Sequence, residues 1–314
     1  MTDFDYTLAY VFPGQGSQSV GMLAGLAAAH PVVGETFAEA SEVLGYDLWQ
    51  LTRDGPEEQL NQTDKTQPAM LAAGVAVWRV LAQATDKRPA ILAGHSLGEY
   101  SALVCAGALD FPAAVKLVES RARFMQEAVP TGAGAMAAIL GLDDDAVRAV
   151  CQQAAEGEVV ETVNFNAPGQ VVIAGAAAAV ERAVSQARAA GAKRALPLPV
   201  SVPSHCSLMQ PAAEALTTEL TRVDLRPPSI DVIHNVDVRA HSDANEIRER
   251  LARQLHSPVR WVETVQYMQN EGVTRLVECG PGKVLAGLNK RIAKEMTPLP
   301  VYDPASLEAA LEQI

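Results

Sequence analysis

The segment Ala90-Ile91-Leu92-Ala93-Gly94-His95-Ser96-Leu97-Gly98 decides how this chain is interpreted. An apolar run ends in a G-x-S-x-G pattern, and a helical pattern follows from Glu99 to Ala108. A serine on a sharp strand-to-helix turn needs glycines beside it, because the two backbones approach closely there. The turn also aims the hydroxyl at the free N–H groups that begin a helix. The pattern therefore predicts a nucleophilic serine on an α/β scaffold.

The composition is typical of a globular protein with a large core. The 314 residues are 48% hydrophobic and 20% charged, and the formal net charge is −12. Aromatic residues make up only 5% of the chain. An acidic chain with few aromatic residues disfavours nucleic acid and anionic membranes as general partners.

Four cysteines lie far apart, at Cys105, Cys151, Cys206 and Cys279, without a C-x-x-C pair. This spacing favours reduced thiols over a disulfide framework or a zinc site. The segment 1–5 lacks the basic and apolar regions of a signal peptide. No apolar run approaches the roughly 20 residues of a membrane span. We therefore expect a cytoplasmic protein with no metal site.

The pattern of apolar residues predicts an α/β fold with two parts. Residues 1–130 and 201–314 are expected to form a large α/β body around a mostly parallel sheet. Residues 131–200 follow a Pro/Gly linker with the order βαββαβ, which is that of a ferredoxin-like subdomain. We predict an irregular polar segment at 52–66 and no notable element after Thr297. A cleft between the two parts would be the natural place for a substrate.

A serine nucleophile needs a general base, and six histidines are candidates. His95 adjoins Ser96 on a tight turn, where neighbouring side chains diverge, so it is a poor choice. His205 follows an apolar strand and precedes a helix, a position from which catalytic side chains often project. A structural role for His205 is an equal alternative. We interpret the adjacent Cys206 as a small buried side chain rather than a nucleophile.

An oxyanion site would combine the backbone N–H of Leu97 with a donor from a second loop. The best second loop is the segment 13–18 (PGQGSQ), directly after the first strand. Arg121 and Arg123 lie mid-helix and point in different directions, so at most one faces inward. A half-buried Arg121 would favour a carboxylate ligand. The alternative is an exposed arginine that pairs with Glu119 or Glu127.

Several motifs together resemble the malonyl-CoA:acyl carrier protein transacylases of bacterial fatty acid synthesis. They occur in one order and cover almost the whole chain: 12–18 (FPGQGSQ), 94–100 (GHSLGEY), 125–130 (MQEAVP), 164–170 (NFNAPGQ), 202–206 (VPSHC) and 278–283 (ECGPGK). The resemblance implies an α/β-hydrolase-like body with a ferredoxin-like insert. It also implies malonyl-CoA and acyl carrier protein as partners, no cofactor, and a monomer.

Roles for individual residues are carried over by position from that resemblance. Ser96 would be the nucleophile, His205 the general base and acid, and Arg121 the group that binds the malonyl carboxylate. The backbone N–H groups of Gln15 and Leu97 would bind the oxyanion. The resemblance further assigns the carbonyl that orients the histidine to Gln254 and a place in the pocket lining to Met125.

Carrier proteins of this pathway are acidic, so binding to this acidic chain would need a local basic patch. Lys193 and Arg194 are the first candidates, with Lys283, Lys290 and Arg291 also considered. An ordinary solvated surface is the alternative for all five.

Three other functions remain open from sequence. A serine esterase or thioesterase would pass the acyl group to water. A non-catalytic module would only bind a carrier protein, although the intact Ser96 and His205 argue against this. A related transferase would use another unit such as methylmalonyl, selected by the pocket near Ser204, Met125 and Arg121.

Overall fold

The structure is a computed structural model that describes residues 4–200 and 202–314. These residues form two separate β-sheets and the helices around them. The strands are β1 (Phe4–Phe12), β2 (Arg88–Gly94), β3 (Gly134–Leu140), β4 (Val160–Ala167), β5 (Gln170–Ala176), β6 (Arg194–Pro197), β7 (Asp231–Ile233), β8 (Arg275–Cys279) and β9 (Thr297–Val301). The helices are α1 (Ala24–Ala29), α2 (Pro31–Leu44), α3 (Leu48–Asp54), α4 (Glu57–Leu60), α5 (Thr63–Ala84), α6 (Gly98–Cys105), α7 (Phe111–Ala128), α8 (Asp144–Ala155), α9 (Ala177–Ala189), α10 (Gln210–Leu220), α11 (Ala244–Gln254), α12 (Trp261–Asn270), α13 (Val284–Ile292) and α14 (Pro304–Leu311).

The first sheet is parallel, with the strand order β7-β2-β1-β8-β9. Buried apolar clusters cover both of its faces, as parallel sheets require. β1 and β2 end side by side, with Phe12 opposite Gly94, and the His95 amide donates to the Phe12 carbonyl at 3.0 Å. This register places the loop after β1 directly beside the turn after β2.

The second sheet is antiparallel, with the strand order β4-β5-β3-β6. The element order β3-α8-β4-β5-α9-β6 confirms the predicted βαββαβ sequence. β6 is shorter than the predicted strand 193–200, because regular pairing with β3 ends at Pro197, although the Leu198 N–H still donates to the Met136 carbonyl at 2.9 Å. α8 and α9 pack on one face around a core of their own, and Met136, Val163 and Cys206 pack together on the other.

Two segments are more regular than the sequence indicated. Residues 52–66 were expected to be irregular, but they contain the end of α3, all of α4 and the start of α5. The Asp47 side chain caps α3 by accepting from the Gln50 N–H at 2.8 Å. The segment after Thr297 forms β9 and α14, so the expectation of no notable element there is wrong.

The mixed α/β class with one parallel and one antiparallel sheet is as expected. The α/β-hydrolase-like character of the body and the boundaries at 130 and 200 stay predictions. Met1–Asp3, part of the segment used to exclude a signal peptide, and Ser201 lie outside the described residues. Among the described helices, none is both long and apolar enough to cross a membrane.

Candidate active site

The turn between β2 and α6 holds Ser96 in a left-handed backbone conformation, with φ at +50°. A Cβ added to Gly94 would lie 1.8 Å from the carbonyl carbon of Gly98. A Cβ added to Gly98 would lie 2.0 Å from the backbone oxygen of Phe12. Both positions therefore require glycine. The predicted strand–turn–helix setting of the serine is confirmed.

His205 is within hydrogen-bond distance of the serine, with Nε2 2.7 Å from Ser96 Oγ. The other ring nitrogen, Nδ1, lies 2.7 Å from the backbone oxygen of Gln254. Because a carbonyl only accepts, the ring proton is on Nδ1, and Nε2 presents its lone pair to the hydroxyl. The pair therefore has the geometry of a nucleophile and its general base, oriented by a carbonyl.

Burial controls the charge of that base. His205 is 3% exposed. Burial, together with the nearby Arg121 cation, lowers the pKa of His205 to about 3. The imidazole is therefore neutral at neutral pH, which is the form that can accept a proton from a serine.

Arg121 extends from α7 into the same site and is 1% exposed. Its guanidinium donates to Gln67 Oε1 at 2.8 Å, to Gln254 Oε1 at 3.0 Å and to Ser96 Oγ at 3.3 Å. Its Nε is buried and has no hydrogen-bond partner among the described residues. Burial lowers the pKa of Arg121, but guanidinium groups stay protonated in proteins. The site thus contains a buried cation whose hydrogen-bond partners here are all uncharged.

The surface alternative for Arg121 is wrong. Glu119 pairs instead with Lys116 at 2.7 Å on the outer side of α7. Arg123 is the exposed arginine of the two, with its guanidinium 5.2 Å from the centre of the Phe124 ring. The expectation that at most one of the two arginines faces inward is confirmed.

Gln15 and Leu97 line the same cavity as Ser96. Their backbone N–H groups have no hydrogen-bond partner among residues 4–200 and 202–314. Gly14 allows the Gln15 loop to approach, because a Cβ there would lie 2.6 Å from the backbone oxygen of His95. Free N–H groups beside a nucleophile are what a developing oxyanion requires.

A cavity of about 100 Å³ opens over these groups, between the two sheets. Its lining consists of Gln15, Gln67, His95, Ser96, Leu97, Arg121, Met125, Met136, Asn164, Leu198, Val200, Val202, Ser204 and His205. Met125 therefore lines the pocket as the resemblance implied. Small volume and a single buried cation fit a short acyl group that carries a negative charge.

The remaining candidate residues lie as follows. His95 Nε2 is 2.8 Å from Asn166 Oδ1, so His95 contacts the second sheet and not Ser96. The Cys206 thiol donates to the Pro203 carbonyl at 3.1 Å, and burial raises its pKa to about 12. An inert buried thiol is as expected.

Lys193 and Arg194 line a separate open cavity of about 560 Å³ together with Arg291, whereas Lys283 and Lys290 do not line it.

Four polar residues at or beneath the site were not predicted from the sequence: Gln67, Glu99, Asn164 and Asn235. Gln67 and Asn164 line the cavity, and the buried Glu99 and Asn235 form hydrogen bonds beneath it. A charged residue at the second position of an otherwise apolar helix was the one available signal for Glu99. Asn235 follows β7 at the end of the sheet that carries the turn.

Comparisons with known proteins agree on one family. A family model for the acyl transferase domain matches residues 9–305. The malonyl CoA-acyl carrier protein transacylase of Escherichia coli is 60% identical over 312 residues, which are 99% of this chain and 100% of that protein. The enzyme of the same name from Bacillus subtilis is 45% identical over 308 residues, covering 98% and 97% of the two chains.

Solved structures show the same similarity. An acyl carrier protein S-malonyltransferase from Vibrio cholerae superimposes with a TM-score of 0.94 at 62% identity, covering 97% of this chain and 99% of that one. A malonyl-transacylase solved in complex with a type II polyketide synthase acyl-carrier protein gives a TM-score of 0.97 at 58% identity, covering 98% and 99%.

We predict that His205 makes stability fall with acidification. Its folded pKa lies below the ordinary value of 6.5, so unfolding takes up a proton below that pH. The contribution of the neutral His205 to the free energy of unfolding is complete above pH 6.5 and is lost as the pH falls towards 3. At roughly 1.4 kcal/mol per pH unit, the loss between pH 6.5 and 5 is about 2 kcal/mol.

Urea unfolding at pH 7 and pH 5 measures this loss against a His205→Asn variant. The unmodified protein should lose about 2 kcal/mol more than the variant, in line with the linkage relation. His95, whose pKa burial also lowers, is present in both proteins and cancels in the comparison. Equal losses in the two proteins would contradict the assignment.

Proposed function

We infer the reaction from one premise, namely that the chain belongs to the acyl transferase domain family and is an acyltransferase of the malonyl-CoA:acyl carrier protein transacylase type. We propose that it transfers the malonyl group of malonyl-CoA to the phosphopantetheine thiol of an acyl carrier protein. The transfer follows a ping-pong mechanism through a malonyl-serine ester on Ser96. The 2.7 Å contact between Ser96 Oγ and His205 Nε2, beside the buried Arg121, is the observation that carries the proposal.

In the first half-reaction, Ser96 Oγ attacks the thioester carbonyl as its proton passes to His205 Nε2. The N–H groups of Gln15 and Leu97 bind the oxyanion that develops. When the tetrahedral intermediate collapses, the carbon–sulfur bond breaks. His205 returns the proton to the departing sulfur, so coenzyme A leaves as a thiol and the malonyl group remains on Ser96.

In the second half-reaction, the phosphopantetheine thiol replaces coenzyme A. His205 takes the thiol proton as the sulfur attacks the malonyl-serine ester. Collapse of the second intermediate breaks the bond to Ser96 Oγ, which recovers its proton from His205. Each group returns to its starting protonation state, so the cycle needs no cofactor or metal.

Arg121 selects an acyl group with a free carboxylate. Its cation is buried, and a carboxylate can form a charge-assisted pair with it. An acetyl group would enter the same cavity and leave that cation without an ionic partner, which is costly in a buried site. The preference for malonyl over acetyl therefore follows from the burial of one side chain.

The carrier protein docks on the basic patch formed by Lys193, Arg194 and Arg291. These exposed residues lie around one open cavity, although the chain as a whole carries a charge of −12. Arg291 is oriented by hydrogen bonds to Gln170 and to the Pro168 carbonyl. An acidic carrier in the cytoplasm, serving fatty acid synthesis, is the partner we propose for this patch, with the enzyme acting as a monomer.

Mass measurement of the intact protein after mixing with malonyl-CoA should reveal a malonyl-sized adduct. The adduct should be absent in Ser96→Ala and should disappear from the unmodified protein when carrier protein is added, because the thiol accepts the acyl group. Free malonate without acceptor, formed rapidly and steadily, would instead indicate a thioesterase. A protein that forms neither adduct nor malonate would fit a module that only binds the carrier.

Arg121→Ala should lower kcat/KM for malonyl-CoA by about 100-fold. That factor is about 2.8 kcal/mol and lies within the roughly 2–5 kcal/mol that removing one partner of a buried charged pair costs. Turnover of acetyl-CoA should change much less, because acetyl forms no ion pair. The ratio of the two substrates is an internal control for misfolding. Arg123→Ala, an exposed change on the same helix, should keep the original ratio, and a preserved ratio in Arg121→Ala would refute the role of Arg121.

Charge reversal at the basic patch should weaken carrier binding alone. Lys193→Glu/Arg194→Glu should raise KM for carrier protein at least about tenfold and leave KM for malonyl-CoA unchanged, because rim charges act mainly on association. Arg222→Glu/Arg226→Glu, with the same change in net charge on exposed residues elsewhere, is the matched control. Equal effects of the first variant on both substrates would exclude the patch.

A further inference from the structure

We propose that the buried carboxylate of Glu99 is a positioning residue that holds Ser96 and Gln254 in their reactive arrangement. Glu99 is the second residue of α6 and is fully buried beneath the site. This inference rests on the proposed function and adds to it a residue that does not touch the substrate.

Glu99 makes three hydrogen bonds with groups from two other elements. Oε1 lies 2.7 Å from His234 Nδ1. Oε2 accepts from the backbone N–H of Asn235 at 2.9 Å and from Gln254 Nε2 at 3.0 Å. The carboxylate therefore connects the end of β7 with the end of α11, directly under the turn that carries Ser96.

Asn235 and Gln254 each hold one side of the Ser96 backbone. Asn235 Oδ1 accepts from the Ser96 N–H at 2.8 Å, and its amide nitrogen donates to the Gly94 carbonyl at 2.7 Å. Gln254 Nε2 donates to the Ser96 carbonyl at 3.0 Å. A non-glycine residue at φ +50° is strained and persists only where its surroundings fix it. Glu99 accepts a hydrogen bond from each of the two residues that hold Ser96, Asn235 and Gln254.

The orientation of the Gln254 amide depends on Glu99. Its Nε2 faces two acceptors, Glu99 Oε2 and the Ser96 carbonyl, so the amide cannot flip without losing both hydrogen bonds. Its Oε1 is thereby directed at Arg121, 3.0 Å away, while its backbone oxygen orients His205. Gln254 thus connects one carboxylate with the nucleophile, its base and the substrate-binding arginine.

The Gln254 amide also keeps the charges of Glu99 and Arg121 apart. Arg121 donates to Gln254 Oε1 and Gln254 Nε2 donates to Glu99, so the two charged groups are linked in series without touching. A direct ion pair would occupy the guanidinium that we assign to the malonyl carboxylate. Because the Gln254 amide lies between the two charges, the Arg121 guanidinium remains available to the substrate carboxylate.

His234 completes the arrangement and suggests a conservative variant. Its Nε2 is buried without a partner among the described residues, so its proton is best placed on Nδ1, where it donates to Glu99. In Glu99→Gln, the amide oxygen can take the position of Oε2 and keep two of the hydrogen bonds. The new NH₂ can then donate to Nδ1 if the ring proton moves to Nε2.

The test is the rate at which malonyl-CoA acylates Ser96, followed by rapid-quench mass measurement of the intact protein. Glu99→Ala should acylate about 100-fold more slowly, the size of effect expected when a reacting group is displaced by about 1 Å. Glu99→Gln should stay within about tenfold of the unmodified protein. Rescue by the shape-conserving variant identifies positioning, since a role of charge alone would slow both variants alike.

Glu278→Ala is the matched control, because Glu278 is also fully buried and accepts backbone N–H bonds, here from Leu285 and Ala286 of α13. It should lower the melting temperature and acylate within about threefold of the unmodified protein. If Glu99→Ala does not fold, Asn235→Ala should still slow acylation at least about tenfold, because it removes the side-chain oxygen that accepts from the Ser96 N–H.

The inference is overturned if Glu99→Ala or Asn235→Ala acylates within threefold of the unmodified protein, if Glu99→Gln is as slow as Glu99→Ala, or if Glu278→Ala is equally slow. Failure of the proposed function gives a different result, because the unmodified protein would then form no adduct.

Discussion

The left-handed backbone of Ser96 is the constraint on which the rest of the site depends. It follows from the contact of three backbones, those of β1, β2 and α6, which leaves room only for hydrogen at Gly94 and Gly98. The strained turn is held from below by Asn235 and Gln254. The serine hydroxyl can then meet a histidine from a distant part of the chain at 2.7 Å.

Burial gives the site its electrostatic character. It keeps the His205 imidazole neutral and ready to accept a proton, and it strengthens the interaction of the Arg121 cation with any anion that enters. The uncharged side chains of Gln67 and Gln254 orient that cation without neutralising it. The malonyl transfer that we propose requires a cation for the substrate carboxylate and a neutral base beside the serine, and both lie at one cavity of about 100 Å³.

Features of the site that depend on short stretches of sequence were predictable. The turn at Ser96 carries its own glycines, and the strand and helix rhythm around it indicated the α/β class. Gln67 and Asn235 could not be found in this way, and Glu99 had only the signal of a charge in an apolar helix, because each matters through a contact with a residue at least 54 positions away. β9 was missed because Pro298 and Pro300 disfavour a strand, yet at the sheet edge they are tolerated.

The hydrogen bonds that secure the turn have a consequence for how the enzyme is made. Asn235 and Gln254 follow Ser96 by 139 and 158 residues, and His205 follows it by 109. Chains emerge from the ribosome in order from the amino end. The serine is therefore synthesised long before the groups that position and activate it. Until α11 has emerged, a nascent chain therefore lacks the hydrogen bond from Gln254 to the Ser96 carbonyl and the backbone carbonyl that orients His205.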